Sequence, residues 1–216
     1  MKRQSSTLAK NFQTTFLSCE KDQETILKKL FVESKPYSDD IKKLLVVNTK
    51  DCLDPSQYQY NEMIRSYSLK RLRDEGYVRV IPKLEINEHE KVKSYILLEF
   101  DDFAPSQNEQ FRNCVISFTI VSLLNEWELD DYKLRPWQIA GYIDGLLNKT
   151  KLSGIGTLNF MGASQVIFNE HFGGVLLRYI ATHGSAGDDA ETVDPDMIPP
   201  MINQNIKIQK EIIKDC

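Results

Sequence analysis

Paired cysteines, clustered histidines and glycine-rich loops are what this 216-residue chain lacks. Cys19, Cys52, Cys114 and Cys216 are scattered and form no C-x-x-C pair. Disulfide frameworks and zinc sites use closer spacing, so free thiols in a reducing compartment are expected. His89, His171 and His183 belong to no HxxxH, HExxH or Cys/His cluster, so no metal site is expected. The one glycine pattern is Gly154-Ile155-Gly156. A phosphate loop needs a helix to start after it, whereas here a helix precedes and a strand follows, so the pair reads as a helix stop. No serine stands in a G-x-S-x-G context. These absences predict no catalytic constellation and no cofactor.

Long apolar runs and an excess of positive charge are missing too. The longest apolar stretch, about Ile116 to Leu124, is interrupted by Ser117, Thr119 and Ser122. It falls short of the ~18 residues a membrane span requires. MKRQSSTLAK at the N-terminus has no apolar segment behind its basic residues, so no secretory signal is readable. Without that route, the glycosylation sequon Asn148-Lys149-Thr150 carries no meaning. A soluble protein made in a cytoplasm, with no membrane contact, is the expectation. The net charge of −4 does not suit a general nucleic-acid binder. Five of the acids crowd into Asp188, Asp189, Glu191, Asp194 and Asp196, and the rest of the chain is close to neutral.

What is present is ordinary globular composition, 41% hydrophobic and 27% charged. It is organised in four zones. Residues 1–20 are rich in Ser, Thr and Gln and read as an N-terminal arm. Residues 21–76 read as helical. KDQETILKKLFVE places Ile26, Leu27, Leu30 and Phe31 at helical spacing. Pro36 ends this helix, and Ser38 is the expected N-cap of DDIKKLLVV, with Asp39 and Asp40 in its first turn. A third helix is predicted over about Asn61 to Asp74, closed by Gly76 as its C′ residue.

Residues 77–183 alternate between strand patterns and one helix. YVRVIPKLEI, a turn at NEHE and VKSYILLEFDDF read as a hairpin. RNCVISFTIVSLL alternates with period two. Cys114, Ile116, Phe118 and Ile120 fall on a buried face, and Ser117 and Thr119 on the other. In KLRPWQIAGYIDGLLNKTK, Pro136 suits a first helical position. Ile139, Ile143, Leu146 and Leu147 form its apolar stripe, flanked by Trp137 and Tyr142. Gly154 and Gly156 break the helix. Two strands follow, about Thr157–Asn169 and Gly174–Thr182, around a turn at EHFGG. The pattern predicts an α+β fold, an antiparallel sheet with a flanking helix, preceded by a helical region. The carboxylate pairs Asp101/Asp102 and Asp130/Asp131 read as solvated loop acids rather than acid–base pairs. Residues 184–216 open as an acidic, Gly/Pro-bearing linker and close as a C-terminal arm. That arm carries Ile202, Ile206, Ile208, Ile212 and Ile213, candidate docking residues for a neighbouring subunit or ring.

One local pattern points elsewhere. SLKRLRDEGYVRVIPK runs from a basic amphipathic helix, residues 65–74, through Gly76 into a strand and hairpin. It resembles the recognition helix and wing of winged-helix DNA-binding regulators. On that alternative Arg65, Lys70, Arg71 and Arg73 are the candidate nucleic-acid contacts. A helix-turn-helix uses a turn of 3–4 residues before the recognition helix, and about fourteen separate the second and third predicted helices here.

A broader resemblance covers Tyr95 to His183. SYILLEF is followed by a loop, then FRNCVISFTIV, then Trp127 and the acidic turn ELDDYKLRP. The helix RPWQIAGYIDGLLNK comes next, then LSGIG, then two long strands ending GGVLLRYIATH. This order of pieces resembles bacteriophage head–tail junction (neck) proteins, the tail-terminator and tail-completion families. The resemblance implies a virion structural protein, not an enzyme, assembled in a host cytoplasm. It implies a homo-oligomeric ring, six- or twelve-fold, at the neck, acting as connector or tail terminator. Its implied partners are other copies of itself and other neck, portal or tail proteins. Genomic DNA would pass through its channel without specific binding, which a near-neutral body suits.

Overall fold

The computed structural model describes residues 19–80, 93–105 and 111–184. The chain divides into two units, Met1–Ser185 and Ala186–Cys216. The second lies outside the described residues, as do the isoleucines of the C-terminal arm.

Helix α1, Cys19–Lys28, runs on into a π-turn, Lys29–Glu33. Ile26, Leu27, Leu30 and Phe31 are all buried along it, as their spacing predicts. Helix α2 spans Tyr37–Val46. Ser38 is not its N-cap but lies buried in its first turn. The amides of Asp39 and Asp40 already bond the Pro36 carbonyl, at 2.9 and 3.2 Å. The helix therefore starts two residues too early for Ser38 to cap it, with Pro36 in the cap position. The third predicted helix is two: α3, Tyr58–Arg65, and α4, Leu69–Asp74. Tyr67 is buried and meets Tyr77 edge-on, centroids 6.0 Å apart, which turns the chain inward. Ser68 then caps α4, its hydroxyl accepting from the Arg71 amide at 3.2 Å. Gly76 closes α4 at φ 85°, with the Tyr77 amide bonding back to the Leu72 carbonyl at 2.8 Å.

The sheet has the order β1-β2-β3-β7-β6. Its strands are β1 (Val78–Arg79), β2 (Ser94–Pro105), β3 (Phe111–Leu123), β6 (Asn159–Ile167) and β7 (Phe172–Gly184). All pairs are antiparallel except β1 with β2, which is parallel, Val78 beside Ile96. The hairpin expected between these two strands is therefore not formed. The chain leaves α4 through Gly76 already running in the direction of β2, so only a parallel pair can form, and parallel strands need a crossover. The NEHE turn lies outside the described residues.

Between β3 and β6 come short 3₁₀ turns, Leu124–Glu126 and Asp130–Tyr132, and then helix α5, Arg135–Leu147, with Pro136 in its first turn. A small hairpin follows, β4 (Lys151–Leu152) with β5 (Gly156–Thr157). The sequence marks Gly154 and Gly156 as the stop of the helix, but α5 already ends at Leu147, where Asn148 caps it and Lys149 takes φ 58°. Gly154 and Gly156 sit at φ 82° and 79° and make the tight return.

The helices cover one face of the sheet. Ile139, Ile143 and Leu147 of α5 join Ile116, Phe118 and Ile120 of β3 and Val175, Leu177 and Tyr179 of β7 in one core. At Gly174 a Cβ would overlap the Ile120 carbonyl, so only glycine lets β3 and β7 approach there. The Tyr179 hydroxyl donates to Asp144 at 2.9 Å and ties β7 to α5. Burial, and then this bond, push the Tyr179 phenol up. Tyr179→Phe is expected to cost about 1 kcal/mol, read as a lower urea midpoint with unchanged slope. The second face of β3 is not solvated as its alternation suggests: Ser117 is buried and Thr119 half-buried. A central strand is shielded on both faces by side chains of its two neighbours. No helix among the described residues is long and apolar enough to cross a membrane.

Candidate assembly surface

Three surfaces of the folded unit have the chemistry for binding. The first is the sheet face opposite the helices. In register, Glu99 of β2 lies beside Ser117 of β3, which lies beside Arg178 of β7. The Ser117 hydroxyl donates to Asp101 at 2.9 Å. Burial, and then Asp101, raise the Glu99 carboxyl above its ordinary value, while Thr119 pulls it back. A shallow hollow of about 370 Å³ opens here, lined by Glu99, Asp101, Asp102 and Arg178 among others. Asp101 and Asp102 are thus strand residues at an irregularity of β2, not loop acids, and Asp102 takes φ 47°. Asp130 and Asp131 do lie in a turn. The dominant acidity of the face disfavours phosphate.

The second surface is the edge of the sheet at β6. This strand is last in the sheet order and is exposed along most of its length. Phe160, Met161, Ile167 and Phe168 are 48%, 56%, 56% and 40% exposed. No charged residue occurs from Asn159 to Asn169. Asn148 closes the start of the edge by accepting the Phe160 amide at 3.2 Å. The sequence shows the strand, but only the topology shows that it is an edge.

The third surface is the basic segment. Arg65, Lys70 and Arg73 are exposed. Arg71 is committed within the fold: 2.6 Å to Glu75, 2.8 Å to the Ser66 hydroxyl, and 3.9 Å above the Tyr67 ring. The hollow beside α4 sets Glu20, Glu24 and Asp74 among Lys70, Arg73 and Arg79. The interleaved carboxylates break up a phosphate-binding stripe, and β1 forms no hairpin wing with β2. Duplex DNA is therefore expected to bind weakly, without sequence preference, and to be lost by moderate salt. A discrete complex in a gel shift at physiological salt is the result that contradicts this. The described residues hold no group of three metal-ligating side chains.

A family model described as YomW matches residues 38–181, from the first turn of α2 to β7. No curated protein matches the chain. Among solved structures, a chain of the "Virion of native gene transfer agent (GTA) particle" aligns at 16% identity. The alignment covers 57% of this chain and 90% of that one, with a TM-score of 0.35.

Proposed function

The chain belongs to the YomW family, a phage-derived family, and we propose that it is a non-enzymatic structural protein of a phage-like virion, forming a homo-oligomeric ring at the head–tail junction. The observation that carries this reading is the family match over residues 38–181. It takes in most of the stretch, Tyr95 to His183, whose order of strands and helix resembles neck proteins. The acidic open face of the sheet supports the same reading, because a DNA conduit must not hold its cargo. On this reading the partners are neighbouring copies and the portal, neck or tail proteins above and below. Residues 184–200 act as a tether, and Ile202, Ile206, Ile208, Ile212 and Ile213 dock the arm on a neighbour. Such a tether of about 17 residues spans roughly 50 Å when extended.

Disrupting the gene in its phage or prophage tests the role. Expected are filled heads without attached tails, or tails of irregular length, and the protein itself in purified wild-type particles. Normal particles from the disrupted phage, or wild-type particles lacking the protein, refute it. Truncation after His183 tests the arm. The shortened protein is expected to stay folded by circular dichroism but to form few rings in electron micrographs. Normal rings without residues 184–216 rule out the docking role.

A further inference from the structure

The α5 helix carries an unexplained cost beside the β6 edge. Gly141 and Gly145 lie in its interior, and a Cβ added at either would meet nothing within 4 Å. Each interior glycine costs roughly 0.5–1 kcal/mol relative to alanine, and nothing within the described chain uses the space. Their side of the helix is fixed by two bonds. Asp144 accepts from Tyr179 of β7, and Asn148 accepts from Phe160 of β6. Trp137, Gly141, Asp144, Gly145 and Asn148 recur at the three- and four-residue steps of one helix face. That face therefore flanks β6 on the helix side of the sheet. Phe160, Ala163, Gln165 and Ile167 pair with Tyr179, Leu177, Val175 and Gly173, so they share this side. Trp137 is 38% exposed.

We propose that two copies of this chain pair through this face, β6 against β6 across a two-fold axis, with Trp137, Phe160 and Ile167 of each packing over Gly141, Gly145 and Ala163 of the other. Three features select a second copy as the occupant. A two-fold contact must be self-complementary, and this patch sets exposed large side chains beside glycines that present no side chain. A two-fold strand pair sets the residue at its axis opposite its own copy, where a charge would repel, and residues 159–169 have none. A partner of either charge has nothing to recognise on that strand. The exposed fractions of Trp137, Phe160 and Ile167 leave on the order of 300 Å² of apolar surface here. That is over a third of what each partner buries in a stable contact, and the strand edge supplies main-chain surface besides. An uncovered apolar edge of this kind also invites aggregation. Neighbours around a polar ring are not related by such a two-fold, so the pairing goes beyond the ring reading and describes the protein before it enters a particle.

Size-exclusion chromatography with light scattering on the full-length protein tests the proposal, and does so whether or not the protein is a virion component. The expected species is a dimer. Phe160→Lys with Ile167→Lys is expected to give a monomer that still melts cooperatively, at a lower temperature because Phe160 also meets Tyr179 edge-on. Gly141→Leu separates docking from folding. Its Cβ meets nothing within 4 Å and it gains helix propensity, yet dimer affinity is expected to fall at least tenfold as the added side chain takes up the contact space. Single cysteines at Ala163, Ser164 and Gln165, in protein with Cys19 and Cys216 changed to serine, locate the axis. At least one is expected to form a self-linked dimer on mild oxidation, since facing residues of paired strands lie within disulfide reach. A monomeric wild type, a dimer that survives the lysine pair, or a larger assembly without self-linkage at any of the three positions overturns the pairing.

Discussion

Arg135→Leu is expected to remove about 3–5 kcal/mol of stability, a large share of the total for a domain this size. Arg135 is fully buried and faces no carboxylate in its hydrogen bonds. Its guanidinium donates to four backbone carbonyls instead: Glu126 at 2.8 Å, Leu44 and Val47 at 2.7 Å each, and Thr49 at 2.9 Å. Leu44 and Val47 lie at the C-terminal end of α2, where helix carbonyls lack intrahelical partners and the dipole favours a cation. One side chain thus joins the end of α2, the loop after it, and the turn before α5. Burial pulls the guanidinium below its ordinary value, but an arginine stays charged throughout the useful range.

A buried ion pair can often be exchanged for apolar residues at little cost, because both partners are removed together. That escape is closed here, since the acceptors are main chain and remain whatever replaces Arg135. Each carbonyl left without a donor costs roughly 1–3 kcal/mol, partly relieved by relaxation or entering water. Lysine keeps the charge but not the planar fork, so Arg135→Lys is expected to fall between wild type and leucine. Urea unfolding followed by circular dichroism reads all three. A leucine variant within about 1 kcal/mol of wild type would show that the four bonds are replaceable.

Arg135 also shows where reading the sequence stops. An arginine before proline at a helix start looks solvated, and the positive end of its own dipole disfavours it there. Its reason lies some ninety residues upstream, at Leu44 and Val47, in contacts that no local pattern carries. Local signals fared better. The stripe Ile139, Ile143 and Leu147, Pro136 in the first turn of α5, Gly76 closing α4, and the alternation through Ile116, Phe118 and Ile120 are all where spacing puts them. Each of those depends on residues within a few positions of one another. The break at 66–68 depends on Tyr67 finding Tyr77, and the parallel β1 on the direction in which α4 delivers the chain. The candidate assembly surface was the least legible part. An uncharged strand reads the same in the middle of a sheet as at its edge, and only the order β3-β7-β6 leaves Phe160 and Ile167 uncovered.

Phe118→Asp is expected to abolish folding, and Thr119→Asp to be tolerated at a cost of about 1–2 kcal/mol. The two residues are adjacent on β3 and point to opposite faces. Phe118 is fully buried among Leu98, Leu177 and the Tyr179 ring, which it meets edge-on with centroids 6.1 Å apart. Losing a buried phenylalanine alone costs about 3–5 kcal/mol. An unpaired carboxylate in its place adds several more, because no donor is at hand. Together these match or exceed the stability of an ordinary domain. Thr119 is half-buried on the acidic face, its hydroxyl 3.5 Å from Glu99. Aspartate there keeps access to water but faces Glu99 as a like charge. The Glu99 carboxyl already sits above its ordinary value through burial and Asp101, and a new neighbour raises it further. An acid whose folded value is raised destabilises the fold fully above that value, and the loss fades as pH falls through it and is gone below the unfolded value of about 4. The Thr119→Asp deficit is therefore expected to be full at neutral pH and to shrink in acid, whereas Phe118→Asp stays unfolded at both. Circular dichroism melts at the two pH values check this. Equal stability of the two variants, or a Thr119→Asp deficit that grows in acid, would mean that β3 presents the opposite faces to core and solvent.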